Sequence, residues 1–269
     1  MQKDGENFLS NKKGQLTIFI IVGLLIVVGI ALFFLFRTGM INQIGGKAET
    51  NFNSIMSACV EGKVRQASRE LAINGGYPNE KLSINFMFTE EGNYKNITYL
   101  CYTQNNYKPC INQHPALLLD LQKGIANYVS SDVRTCFDEM VSNLKSQGFD
   151  ASAKYEGFDI ELNPRKIAIN VDAKVTLEKS GERSTQDEFK IPVSSRLYEI
   201  SQVAQEILNQ ESAFCYFEET GFALAYPDFA LDTFNFASES TKIYTIKHKD
   251  SDEKFRFAVR GCNIPPGFA

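Results

Sequence analysis

The chain has no tryptophan, only two histidines, and no pair of cysteines near enough to read C-x-x-C. Structural zinc sites draw on closely spaced cysteine pairs. Here the nearest pair, Cys101 and Cys110, is separated by the loop YTQNNYKP, and only His114 and His248 could supplement it. G-x-S-x-G, H-E-x-x-H and the glycine-rich phosphate loops are also missing, so no known nucleophile, metal or nucleotide signature is present. Excess charge is lacking too: Lys+Arg 28 against Asp+Glu 32 gives a net charge of -4 with no long run of either sign. A mildly acidic, unpatterned chain argues against nucleic acid as a partner. These absences predict no catalytic residue, no metal site and no cofactor. His114, before a proline at a helix entry, and His248, near a hairpin end, read as surface histidines. Asp250-Ser251-Asp252-Glu253 lacks the central glycine and distal glutamate of a calcium loop, so it reads as a hairpin turn.

What is present begins with an apolar run. From Leu16 to Phe36 the chain carries no charge, and only Thr17, Gly23 and Gly29 are not strongly apolar. As a helix this run would be roughly 31 Å long, matching the roughly 30 Å hydrocarbon core of a bilayer. A signal peptide has a shorter apolar region followed by small residues, whereas this run ends in Leu32-Phe33-Phe34-Leu35-Phe36-Arg37. The pattern predicts a transmembrane helix at 16–36. Lys3, Lys12 and Lys13 precede it while Arg37 and Lys47 follow, which places the N-terminus in the cytoplasm and the rest outside.

All six cysteines (Cys59, Cys101, Cys110, Cys136, Cys215 and Cys262) follow the apolar run. An even count on one side of a membrane is what an oxidising exterior produces. Three disulfides are expected, with buried free thiols as the alternative. Proximity in the chain suggests Cys101–Cys110. Cys59 and Cys136 each fall in a strongly helical segment and would staple two helices, leaving Cys215–Cys262 to close the C-terminal region. Asn96-Ile97-Thr98 is a glycosylation sequon, meaningful only outside the cell.

After the run the sequence alternates helix and hairpin. Ala48 to Ile73 reads as a helix with Phe52, Ile55, Cys59, Val60, Val64, Ala67 and Leu71 on one face, stopped by Asn74-Gly75-Gly76-Tyr77-Pro78. KLSINFMF turns at EEGN and returns as KNITYLCY, a hairpin. A second helix is expected from Pro115 to Gln147, with Leu118, Leu121, Ile125, Val129, Val133 and Cys136 as its stripe and Gly148 as its stop. FDIELN, KIAINVDAKVTLEK and EFKIPV read as three strands. A helix from Ser195 to Asn209 then precedes FALDTFNF, KIYTIKH and KFRFAVR, another antiparallel meander. The fold class is therefore α+β: an N-terminal transmembrane helix followed by an ectodomain of helices packed on antiparallel hairpins and meanders. The expected parts are a cytoplasmic leader at 1–15, the transmembrane helix at 16–36, a glycine-containing linker at 37–47, and ectodomain parts at 48–150 and 151–269. Phe214, Tyr216, Phe217, Phe222, Tyr226, Phe229, Phe234 and Phe236 form a dense aromatic set that reads mainly as core, with a partner or glycan groove as the other use.

Lys12-Lys13-Gly14-Gln15, directly before the apolar run, resembles the class III signal of archaeal type IV pilins and archaellins. The resemblance implies that a prepilin-type peptidase cuts between Gly14 and Gln15, leaving Gln15 as the mature N-terminus. Gly39, Gly45 and Gly46 depart from the unbroken helix of filament-forming pilins, because glycine weakens a helix interior by about 1 kcal/mol. The remainder, with its cysteine-bearing helices and the Gly75-Gly76-Tyr77 turn, is similar to single-anchor surface proteins of small-genome archaea, a likeness that implies no known activity. The expected function is a non-enzymatic, membrane-anchored surface protein, structural or adhesive. Its expected partners are the lipid bilayer, the peptidase, and other pilin-like subunits or a surface ligand. The alternatives are a monomeric anchored receptor and an extracellular hydrolase with an unfamiliar site.

Overall fold

The computed structural model describes residues 21–27, 52–77, 80–236 and 239–262. The chain divides into two units, Met1–Asn51 and Phe52–Ala269. In the first, residues 21–27 are helical. This corrects the expected architecture at its N-terminal end: among the described residues no helix is long and apolar enough to cross a membrane. Residues 21–27 would extend only about 10 Å as a helix, a third of the hydrocarbon thickness. The rest of 16–36, the leader with Gly14 and Gln15, and the linker at 37–47 lie outside the described residues.

The second unit is an α+β arrangement of four helices and nine strands among its described residues. In chain order these are α1 (Phe52–Ala72), β1 (Ser83–Met87), β2 (Tyr94–Tyr102), β3 (Ile111–Asn112), α2 (Leu117–Ser146), β4 (Asp150–Asn163), β5 (Lys166–Lys179), β6 (Glu182–Ser194), α3 (Leu197–Phe214), α4 (Glu219–Ala225), β7 (Phe229–Phe236), β8 (Thr241–His248) and β9 (Lys254–Arg260). Strands β4, β5 and β6 form a three-stranded antiparallel meander, and β1-β2-β9-β8-β7 form a second sheet in that order, with β3 added to β2. Every pairing is antiparallel except β2 with β9, which is parallel.

Local pattern accounts for the elements. On β5, Ile167, Ile169, Val171, Ala173, Val175 and Leu177 are all buried, the period-two signature of a strand with one face on a core. On α2, Leu117, Leu121, Ile125, Val129, Val133, Cys136, Phe137, Met140 and Leu144 are buried at helical spacing. The helix begins after Pro115, at Leu117, with Ala116 as its N-cap. Helix α3 runs past the expected Asn209 to Phe214 and stops where Cys215 takes a left-handed conformation (φ 53). One continuous core joins α1, α2 and α3 to both sheets. Phe189 of β6 touches Phe52 of α1 and Phe137 of α2 edge-on, with ring centres 5.9 and 6.2 Å apart.

Three disulfides hold all six cysteines. Cys59 of α1 bonds Cys136 of α2 (Cα–Cα 5.8 Å), Cys101 of β2 bonds Cys110 (5.3 Å), and Cys215 bonds Cys262 (5.7 Å).

Candidate cleft on the outer face of the mixed sheet

The face of the mixed sheet turned away from the helices has a small core of its own. Ile97, Tyr99, Ile243 and Ala258 are buried there beneath Leu82, Ile84, Phe86, Phe88, Tyr102 and Phe236. Its shape follows from one strand. Residues 94–98 of β2 pair with β1 while Tyr99–Tyr102 pair with β9, and the register slips between Tyr99 and Cys101. Such an irregularity bends a strand and increases its twist. Strands β1 and β7 are the two ends of the sheet order, so a flat sheet would hold them roughly 19 Å apart at 4.7–4.9 Å per strand. Instead Phe86 of β1 meets Phe234 and Phe236 of β7 at ring-centre distances of 4.7 and 5.5 Å. The β1–β2 hairpin therefore curls across the outer face toward the far edge.

The hairpin's turn is fixed by charge. Glu91 accepts from Lys254 Nζ and Arg256 Nη2, each at 2.6 Å. Arg256 is buried in the middle of β9. Its guanidinium carbon lies 3.7 Å from the centre of the Phe88 ring, and its Nε donates to Thr245 Oγ1 at 3.3 Å. The hydrogen bond from Arg256 is the main cause of a Glu91 pKa lowered from 4.5 to about 2; Lys254 adds to it and partial burial opposes it.

Between this turn and β7–β8 lies an open cleft of about 280 Å³, lined by Phe88, Thr89 and Glu90 on one side and by Asp232, Thr233, Phe234, Ile243, Thr245 and Lys247 on the other. On the β7–β8 side Asp232 and Lys247 pair at 2.8 Å. Its walls combine the aromatic side chains of Phe88 and Phe234 with the Asp232–Lys247 ion pair and the Glu90 carboxylate. A second hollow of about 330 Å³ lies between the start of α2 and the middle of α3, bordered by Leu118, Leu119, Ser201 and Gln205.

Other polar clusters lie outside the lining of this cleft. Glu211, on α3, is 1% exposed and accepts from Lys242 Nζ at 2.6 Å and from the Tyr244 hydroxyl. Burial, then the Glu211 charge, pushes the Tyr244 hydroxyl far above its ordinary value. Tyr77 donates to Asp120 Oδ2 at 2.6 Å and stacks on His114 at 3.7 Å, and burial lowers the His114 pKa. His248 is buried at the end of β8, its Nδ1 accepting from the Asp250 N–H at 3.2 Å and its ring edge-on to Phe229. His248, read from the sequence as a surface histidine, is therefore buried, while His114 is half-buried in the segment between β3 and α2.

Asp250 to Glu253 form the β8–β9 turn, where Glu253 accepts from Ser195 Oγ at 2.6 Å and from the Arg196 N–H. Among the described residues no group of His, Cys, Asp or Glu is arranged to hold a metal ion. Asn96 is half-buried in β2 opposite Asn85 of β1, and Thr98 is buried with its hydroxyl donating to the Tyr77 carbonyl at 2.9 Å.

The aromatic set is divided by the fold. Phe217 and Phe222 are core, Phe214 and Tyr216 are exposed, and Phe234, 52% exposed, lines the cleft. The cleft's organising residues, Phe88, Glu91 and Arg256, were not singled out by sequence reasoning. The available signal was Arg256 between Phe255 and Phe257 in the strand KFRFAVR, since an arginine is rarely buried unless paired.

Comparison with protein families, with curated proteins and with solved structures gives no match to this chain.

Proposed function

We propose that the chain is a non-enzymatic protein of the cell surface, structural or adhesive, and that its second unit is an exterior module offering the outer-face cleft to a partner. The observation that carries this reading is the pairing of all six cysteines in disulfides, since such bonds persist in oxidising compartments and are rare in reducing ones. The aromatic cleft supports a binding role, because concave sites lined by aromatic groups with a few fixed polar ones are the usual form of a recognition surface. Lys12-Lys13-Gly14-Gln15 supports processing by a prepilin-type peptidase after Gly14, with pilin-like subunits or a surface ligand as further partners. The cleft also favours a second form of the reading, a monomeric receptor that does not assemble.

Location is tested on intact cells. Protease added outside is expected to remove the second unit, and a membrane-impermeant maleimide applied after reduction is expected to label its cysteines. Protection of the unit from both reagents would overturn the reading.

A further inference from the structure

The four edges of the two sheets are not equally defended. Strand β1 is only Ser83–Met87, and a short edge offers little to pair with. Strand β4 carries Lys154, Glu156, Asp159 and Glu161 and is broken by an irregularity between Tyr155 and Gly157. Strand β6 carries Arg183, Asp187, Glu188 and Lys190, contains Pro192, and has a register shift against β5. Charges, proline and bulges are the devices by which natural sheets block edge-to-edge association.

Strand β7, FALDTFNF, has no proline and no bulge. It pairs with β8 without interruption from Phe229 to Phe236, and its one charged residue is Asp232. Among the described residues no strand pairs with its other side.

We propose that β7 is a self-pairing edge, at which two copies of this chain join antiparallel about Thr233. The reading rests on the structural form of the function proposed above and deepens it. The strand's own chemistry selects a second copy as the occupant. Lys247 already neutralises Asp232 at 2.8 Å, so the edge offers no free charge to attract a charged strand; an apolar strand whose single charge is likewise paired fits it, and β7 is one.

The register follows from side-chain parity, since directly opposed residues point to the same face. Centring the pair on Asp232 would oppose two carboxylates. Centring it on Thr233 sets Asp232 against the second copy's Phe234 and Ala230 against its Phe236, using the longest described overlap. Asp232 and Phe234 both line the cleft. Each copy's Phe234 would then cover the mouth of the other's cleft, and the two Phe234 rings become diagonal neighbours, within aromatic reach at about 7–8 Å. One strand pair buries less than the roughly 1,200 Å² of a standard interface. Association is therefore weak in dilute solution and strengthened wherever copies are held at high local density.

The test uses the purified full-length chain. Sedimentation velocity is expected to show a dimer whose share rises with concentration toward the millimolar range, and which disappears in Phe234→Lys. Asn235→Lys, exposed on the opposite face of the strand, is the second blocking variant, should Phe234→Lys lose its circular-dichroism signature. With all six native cysteines in disulfides, Thr233→Cys introduces a lone thiol, expected to form a cross-linked dimer under mild oxidation while Asp232→Cys does not. A monomer at every concentration, association unchanged in both lysine variants, or equal cross-linking through position 232 overturns the proposal. Because location is read separately on cells, a purely monomeric protein would leave the surface reading standing in its receptor form.

Discussion

Arg256 lies with its guanidinium carbon 3.7 Å from the centre of the Phe88 ring. A buried cation is costly unless it is paired, and one turn supplies the pairing, with Phe88 offering its face and Glu91 its carboxylate to Nη2, while Nη1 is left buried without a hydrogen-bond partner. The contact pins the β1–β2 hairpin over the outer face and so holds the cleft open on one side.

The first prediction concerns that turn. Glu91→Gln keeps the size but removes the charge, leaving Arg256 with a weaker acceptor, and should destabilise the protein by roughly 1–3 kcal/mol at neutral pH. The Glu91 carboxyl is held down from 4.5 to about 2 in the folded state. Its contribution is therefore present above pH 4.5 and is lost as pH falls toward 2. Denaturant melts should show the wild type and Glu91→Gln converging over that interval; a gap unchanged at low pH would assign the loss to something other than charge.

A second prediction compares disulfides. Cys59–Cys136 closes a separation of 77 residues and Cys101–Cys110 one of 9. On chain-entropy grounds the longer closure constrains the unfolded state more, by roughly 1.8 kcal/mol. Replacing Cys59 and Cys136 together by alanine should lower the melting temperature further than replacing Cys101 and Cys110, as calorimetry would show. Equal losses would mean that α1 and α2 hold together without their staple.

Two glycines with the same left-handed backbone should respond differently to alanine. Gly75 (φ +75) would place a Cβ 3.1 Å from the Thr98 Cβ and 3.2 Å from the Arg256 carbonyl oxygen, whereas around Gly92 (φ +65) there is nothing within 4 Å. Gly92→Ala should cost about 1 kcal/mol, the strain of the conformation alone. Gly75→Ala should cost more, because β2 and β9 must also yield. Equal unfolding midpoints for the two variants would count against this close packing.

The N-terminal resemblance gives a prediction on processing. Mass spectrometry of the protein from its native host should find Gln15 as the first residue, and Gly14→Val should prevent the cut. A native chain that begins at or near Met1 would remove the class III reading.

What the sequence made legible was local. Alternation in KIAINVDAKVTLEK marked β5, the apolar stripe from Leu121 to Cys136 marked α2, and an even number of cysteines after the apolar run pointed to disulfides, of which three are present. The apolar run itself misled the architecture, because its described part is the short helical stretch at 21–27. Helix α4 was missed: it spans only Glu219–Ala225, and its cap is Glu218, which accepts from Thr220 N–H at 3.2 Å and from Gly221 N–H, rather than one of the residues that usually announce a helix start. The cleft was illegible for a different reason. Phe88, Glu91 and Arg256 are brought together by the pairing of β2 with β9, and no spacing within either strand encodes a partner so distant in the chain.

That pairing has a consequence for how the molecule comes into being. Strand β9 lies between β2 and β8, so the sheet cannot close until the last described strand has been synthesised. Contacts so remote in sequence form slowly, and until they form the incomplete sheet exposes apolar edges to other chains. While the chain is being made, β2 and its hairpin must wait, half-paired, for a strand that emerges about 150 residues later. A stop codon just before Lys254 would therefore cost far more than one strand: it would leave β1–β2 and β7–β8 as two separate hairpins with no strand to join them, a chain unable to finish folding.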